Sequence, residues 1–93
     1  MEFVWDRSKA QINHQKHGIS FEEAQTIFYD AYARLIHDPD HSDDEDRFIL
    51  LGMSYTPRLL VVCHCYNEDQ IRIISARKAN RKESKSYEDF RHA

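Results

Sequence analysis

An imidazole, a hydroxyl and a guanidinium share one sheet face if residues 59–77 fold as their β-branched runs require. The runs "LLVVCHCY" and "IRIISA" are separated by "NEDQ". A four-residue hairpin there sets Tyr66 opposite Ile71, Cys65 opposite Arg72, His64 opposite Ile73, Cys63 opposite Ile74 and Val62 opposite Ser75. Alternation then divides the side chains. One face collects Val61, Cys63, Cys65, Ile74 and Ala76, with Arg72 near its end, and reads as core. The other collects Val62, His64, Ile73, Ser75 and Arg77. Arginine can grip a phosphate through its planar fork, and a ring that titrates near neutral pH can move a proton, so this second face holds parts of a phosphodiester site. The plainer alternative is a hydrogen-bonded strand histidine beside a solvated arginine.

Charge sharpens that reading. From Ile71 to Ala93, Arg72, Arg77, Lys78, Arg81, Lys82, Lys85 and Arg91 stand against Glu83, Glu88 and Asp89, seven cations to three anions in a chain of net charge −3. Spacings such as Lys78 with Lys82 and Arg81 with Lys85 place like charges one helical turn apart, which gains a helix nothing. A basic strand-to-helix corner on an acidic chain points to a polyanion or an acidic protein partner. The helix's Tyr87 and Phe90, with Ala79, are expected to pack it on the sheet.

Opposite in character is "HDPDHSDDED", residues 37–46, dense in carboxylates and imidazoles. It has no glycine for an EF-hand turn and no H-E-x-x-H or paired cysteines to fix a tetrahedral site, so a solvated acidic loop is expected rather than a metal site. Cys63 and Cys65, two apart in one strand, point the same way and read as buried free thiols. On the first helix, Lys9, Asn13, His14, Lys16 and His17 read as scattered over several faces, an exposed surface that could extend a nucleic-acid interface.

The elements that must position these groups follow from caps and periodicity. Glu2–Trp5 reads as a short strand, and Asp6 caps a helix that runs to His17 and stops at Gly18. Ser20 and Glu23 spell a capping box, and Phe21, Ala24, Ile27 and Phe28 make the apolar stripe of a second helix. "ARLIH", "RFILLGM", "LLVVCHCY" and "IRIISA" follow as strands joined by short turns, and a helix closes the chain. The expected fold is α+β: strand, two helices, four strands, helix, with a mostly antiparallel sheet. Ninety-three residues with 41% hydrophobic content suit one domain spanning 1–93. No apolar run approaches the roughly 20 residues that span a bilayer, and "MEFVWDRSK" is not a signal peptide, so no membrane partner and a cytoplasmic location are expected.

Three blocks, "FVWDRSKAQINHQKHGISFEEAQTIF", "HSDDEDRFILLG" and "IRIISARKANRKESKSYE", resemble in order those of the BrnT toxins, the ribonuclease half of BrnT/BrnA type II toxin-antitoxin modules. The resemblance covers nearly the whole chain. It implies a RelE-like fold, RNA cleavage without a metal or other cofactor, growth arrest, and neutralisation by a BrnA-like ribbon-helix-helix antitoxin that also binds the operon's DNA. By position within these blocks and the basic helix, Glu45 or His64 is the candidate base and Arg77 with Arg72 or Arg81 the phosphate clamp. His64 or Tyr87 is the candidate acid, and Arg47, Ser75, Lys78, Arg81 and Lys85 are the RNA contacts. The competing readings are a noncatalytic module that grips nucleic acid or protein through the basic corner, and a metal-dependent nuclease built on the aspartate-histidine loop.

Overall fold

The computed structural model of the chain describes residues 1–36 and 47–93. Strand β1 (Glu2–Val4) leads into helix α1 (Arg7–His17), helix α2 (Phe21–Thr26) and a 3-10 turn (Ile27–Tyr29). Strands β2 (Arg34–Ile36), β3 (Arg47–Met53), β4 (Leu59–Asn67) and β5 (Gln70–Lys78) follow, then helix α3 (Arg81–Arg91). The expected order holds.

Local chemistry sets these bounds. The Asp6 carboxylate accepts the Lys9 amide at 2.9 Å to open α1, and Gly18 closes it at φ 71°, a left-handed turn that suits a residue without Cβ. Ser20 caps α2 by accepting the Glu23 amide at 3.0 Å. Only half of the expected capping box forms there, because the Glu23 carboxylate is used elsewhere. A complete box appears instead at Asn80 and Glu83. Since α3 begins only after Asn80, Lys78 belongs to β5, and Lys78 and Lys82 are not a helical pair. Lys85 pairs with Asp89 at 3.2 Å rather than facing Arg81 alone.

The described strands form one five-stranded sheet in the order β1-β5-β4-β3-β2. β1 lies parallel to β5 and the remaining pairs are antiparallel. The β4–β5 turn is tighter than expected: Asn67 pairs with Gln70, leaving Glu68 and Asp69 as the loop, with Glu68 at φ 57°. One face packs Leu60, Val62, Ile73 and Ala76 against Ile19, Phe21, Ala24 and Ile27 of the α2 region. On the other face Ile49, Leu51, Val61 and Cys63 pack against Tyr87 of α3. Gly52 lets the 3-10 turn close on β3, since a Cβ there would lie 3.0 Å from the Ala33 Cβ and 3.2 Å from that of Ile27. Among the described residues no helix is long and apolar enough to cross a membrane.

Candidate functional site

The expected hairpin register holds for three pairs, Tyr66 with Ile71, Cys65 with Arg72 and His64 with Ile73, and then breaks. Cys63 pairs with Ser75 rather than Ile74, so Ile74 is the extra residue of a β-bulge. Because side chains alternate with period two, a one-residue slip sends every later side chain to the opposite face. Ala76 therefore turns into the core beside Val62, and Ser75 and Arg77 join Cys63 and Val61. The expected grouping of His64 with Ser75 and Arg77 is thus corrected: the bulge separates them.

It places Ser75 and Arg77 instead on the face that carries Arg47 and Arg72. Arg47, Cys65 and Arg72 lie opposite one another across β3, β4 and β5, which sets the two arginine Cα atoms about 10 Å apart on one face. Ser75 and Arg77 continue that face along β5, and all but the half-buried Cys65 are exposed. Cys63 and Cys65 are free thiols, the first buried as expected.

At the end of this face, the Arg77 guanidinium donates Nη1–H and Nη2–H to the two Glu83 carboxylate oxygens, each at 2.9 Å. Glu83 also accepts the Asn80 amide at 2.8 Å, and the Asn80 side chain accepts the Glu83 amide at 2.8 Å. The Arg77 bond holds the Glu83 carboxyl below its usual range, against the opposing effect of burial. The capping box of α3 thereby aims the fork of Arg77. Lys78, Arg81 and Lys85 are all exposed around this strand-to-helix corner.

His64 sits elsewhere. It is fully buried beneath the helical layer, edge-on to Phe28 at 4.8 Å and to Tyr66 at 5.2 Å, with Phe48 at 6.0 Å. Burial pushes its pKa down, so the ring is neutral at physiological pH, with Nδ1 3.4 Å from the Val62 carbonyl and Nε2 3.3 Å from the Tyr66 hydroxyl. Tyr87 is also buried, at 1% exposure. It donates to Asp30 Oδ2 at 2.6 Å, and burial together with that bond pushes its pKa up to about 12. Asp30 in turn accepts the Met53 and Tyr32 amides at 2.8 and 3.0 Å, so Tyr87 pegs α3 to the sheet as its helical spacing foretold. Arg34 over the Phe90 ring at 4.8 Å and Arg91 over Tyr32 at 5.7 Å hold the same end of the helix. Glu45, with the whole segment 37–46, lies outside the described residues.

Sequence position alone does not mark Asn13 as structural, yet it is 6% exposed and docks α1 to β5. Its amide donates to the Ala76 carbonyl at 2.9 Å and to the Ile19 carbonyl at 3.0 Å, and it accepts the Ala76 amide at 3.0 Å. Its signal was a polar residue at the centre of a stripe, Lys9, Ile12, Asn13, Lys16 and His17, spaced as one helix face. These side chains share that face rather than scattering, with His14 off it.

With this geometry in place, residues 5–83 match the family described as "Ribonuclease toxin, BrnT, of type II toxin-antitoxin system". The chain belongs to the BrnT family. The crystal structure of the Brucella abortus ribonuclease toxin BrnT, at 1.1 Å resolution, matches with a TM-score of 0.67 and 23% identity over 87% of this chain and 99% of that one, a likeness of fold. A comparison with curated proteins found no match. BrnT membership makes the chain a ribonuclease toxin of a type II module, with an RNA target and a protein antitoxin as its partner.

Proposed function

We propose that the chain, as a single cytoplasmic domain, cuts RNA internally without a metal ion and arrests growth through the face that carries Arg47, Arg72, Ser75 and Arg77. The supporting observation is the β5 bulge, which gathers those side chains on one exposed surface. In such a cleavage the 2′-hydroxyl loses a proton as it attacks phosphorus, the equatorial oxygens gain negative charge, and the 5′-oxygen takes a proton as it leaves. Guanidinium groups held before the reaction suit the middle demand, because they meet developing charge without reorganising. Arg72 and Arg77 are the proposed clamp, Arg47 and Ser75 hold the adjoining backbone, and Lys78, Arg81 and Lys85 steer the strand toward the corner.

The proposal also covers proton transfer. His64 is buried on the other face and Tyr87 holds its proton to about pH 12, so both serve packing rather than acid-base chemistry. Glu45, two residues before Arg47, is the proposed base. The chemistry then rests mainly on stabilising charge in the transition state, with the Glu45 carboxylate accepting the attacking proton and solvent water supplying the one that the 5′-oxygen takes.

A BrnA-like ribbon-helix-helix antitoxin, which would also carry the complex to operator DNA, is proposed to cover the arginine face with an acidic or mixed-charge segment. A standard interface of roughly 800 Å² per partner suffices. The deciding experiment incubates purified protein with a defined RNA in excess EDTA. Persistent cleavage is expected; cleavage that stops and returns with Mg²⁺ would refute metal independence, and binding with no cleavage of any RNA would favour a noncatalytic module.

A further inference from the structure

A groove runs between α1 and the bulge of β5, walled by Lys9, Ile12, Lys16 and His17 on the helix and by Ile74 and Ser75 on the strand. Asn13 lies at its base and fixes the two walls together through the Ala76 backbone. Lys9 and Lys16 are exposed, and Ile12 keeps 61% of its surface open, so the groove offers ammonium groups beside apolar surface. Among the described residues no carboxylate lines it.

The groove also meets the arginine face. Ser75 belongs to both, since it lines the groove and stands in the strand column with Arg77, about 6.7 Å away for alternate residues of a strand. A chain lying along Arg72 and Arg77 that turns over the outer edge of β5 at the bulge enters the groove within about one nucleotide step.

We propose that this groove is a second stretch of the RNA path, in which Lys9 and Lys16 bind the phosphates of single-stranded RNA flanking the cut and the exposed Ile12 covers a base or ribose. The proposal rests on the reading of the arginine face as the place of cleavage. Its chemistry is that of strand-tracking sites, which pair a cationic groove with apolar contact surfaces and tolerate any base.

The test measures the affinity of the full chain for a fluorescent 2′-O-methyl RNA, which lacks the attacking hydroxyl, across a range of salt. Lys9→Glu with Lys16→Glu should weaken binding on the order of tenfold. It should also flatten the slope of log K against log salt by about 1.4, as expected for two phosphate contacts to a single strand. Arg7→Glu, in the same helix but off the groove, makes half the charge change and should leave the slope within about 0.3 of the parent. Oligonucleotides too short to reach from the arginine face into the groove should bind parent and double variant alike. An unchanged slope in a double variant with parental circular dichroism would overturn the proposal. So would an unchanged RNA affinity with weakened antitoxin binding, which would assign the groove to the protein partner. A parent that neither binds nor cleaves any RNA would instead overturn the reading of the arginine face itself.

Discussion

Arg77 and Glu83 meet fork to fork, with two N–H···O bonds of 2.9 Å joining the end of β5 to the first turn of α3. The carboxylate that caps the helix also fixes the direction of the guanidinium. A substrate phosphate would present similar paired oxygens, so in the proposed reaction Arg77 is a clamp whose direction is set before the substrate arrives.

Arg72→Ala and Arg77→Ala are each expected to cut single-turnover cleavage by about 100-fold, on the order of 3 kcal/mol of transition-state stabilisation. Arg77→Lys should rescue only part, because an ammonium keeps the charge and loses the fork. The Arg77–Glu83 pair is half exposed, so its loss should change stability by at most about 1 kcal/mol. A parental rate in a folded Arg72→Ala and Arg77→Ala double variant would remove the arginine face as the active site.

His64→Leu should leave cleavage at the parental rate, since the ring lies under Phe28 and Phe48 away from the arginines. It should change the acid limb of stability. Burial lowers the folded pKa below the unfolded 6.5, so the unfolded chain binds the extra proton and stability falls as pH drops below 6.5. Urea unfolding between pH 7.5 and 5 should show this slope in the parent and a shallower one in the variant. Loss of cleavage in a folded His64→Leu protein would return His64 to the chemistry.

The Glu23 carboxylate accepts Ser54 Oγ at 2.7 Å, Thr56 Oγ1 at 2.5 Å and Arg58 Nε at 2.9 Å, and pairs with Arg58 Nη2 as well. The Arg58 bond leads the set that brings its pKa from 4.5 to about 2, against burial. A depressed carboxylate contributes stability that is present above the unfolded pKa and lost as pH falls through the folded one. The network should therefore weaken between pH 4.5 and 2, by on the order of 3 kcal/mol in all. Glu23→Gln should lose roughly 2 to 4 kcal/mol at pH 7 and show a flatter acid limb; an unchanged denaturation midpoint at pH 7 would refute it.

Asn13→Leu, similar in volume, should destabilise the fold by roughly 2 to 4 kcal/mol, because the buried Ala76 backbone loses both partners. Asn13→Asp should do no better, as a carboxylate cannot donate to the Ala76 and Ile19 carbonyls. Hydrogen exchange reads this directly: the Ala76 amide should be protected in the parent and exchange with the fastest β5 amides in both variants.

The elements were legible because each carries its own punctuation. Asp6 and Gly18 bracket α1, and the β-branched runs mark β3 to β5. The side-chain faces were not, because a bulge at Ile74 is written in a residue that suits a regular strand, and one extra residue moved Ser75 and Arg77 across the sheet. Glu23 shows the limit of local spelling: Ser20 and Glu23 are spaced as a box, but Arg58, thirty-five residues on, offers the carboxylate a stronger partner. Asn80 and Glu83 form the complete box, set inside a run of cations whose charge is the more prominent pattern. The candidate arginines were visible by type, and their common face only through the register.

β1 pairs with β5 only from Gln70 to Arg72. Beyond it "IISARK" runs on to Lys78, its outer edge without a strand partner among the described residues. Such an edge is a template for another chain, and toxin released from its antitoxin would be the species exposed to that hazard. The Asn13 amide occupies the Ala76 donor and acceptor midway along this edge, acting as a stopper one side chain wide. The same contact that orders α1 therefore guards against strand-by-strand polymerisation, so solubility of the free protein should fail in Asn13 variants before their global fold does.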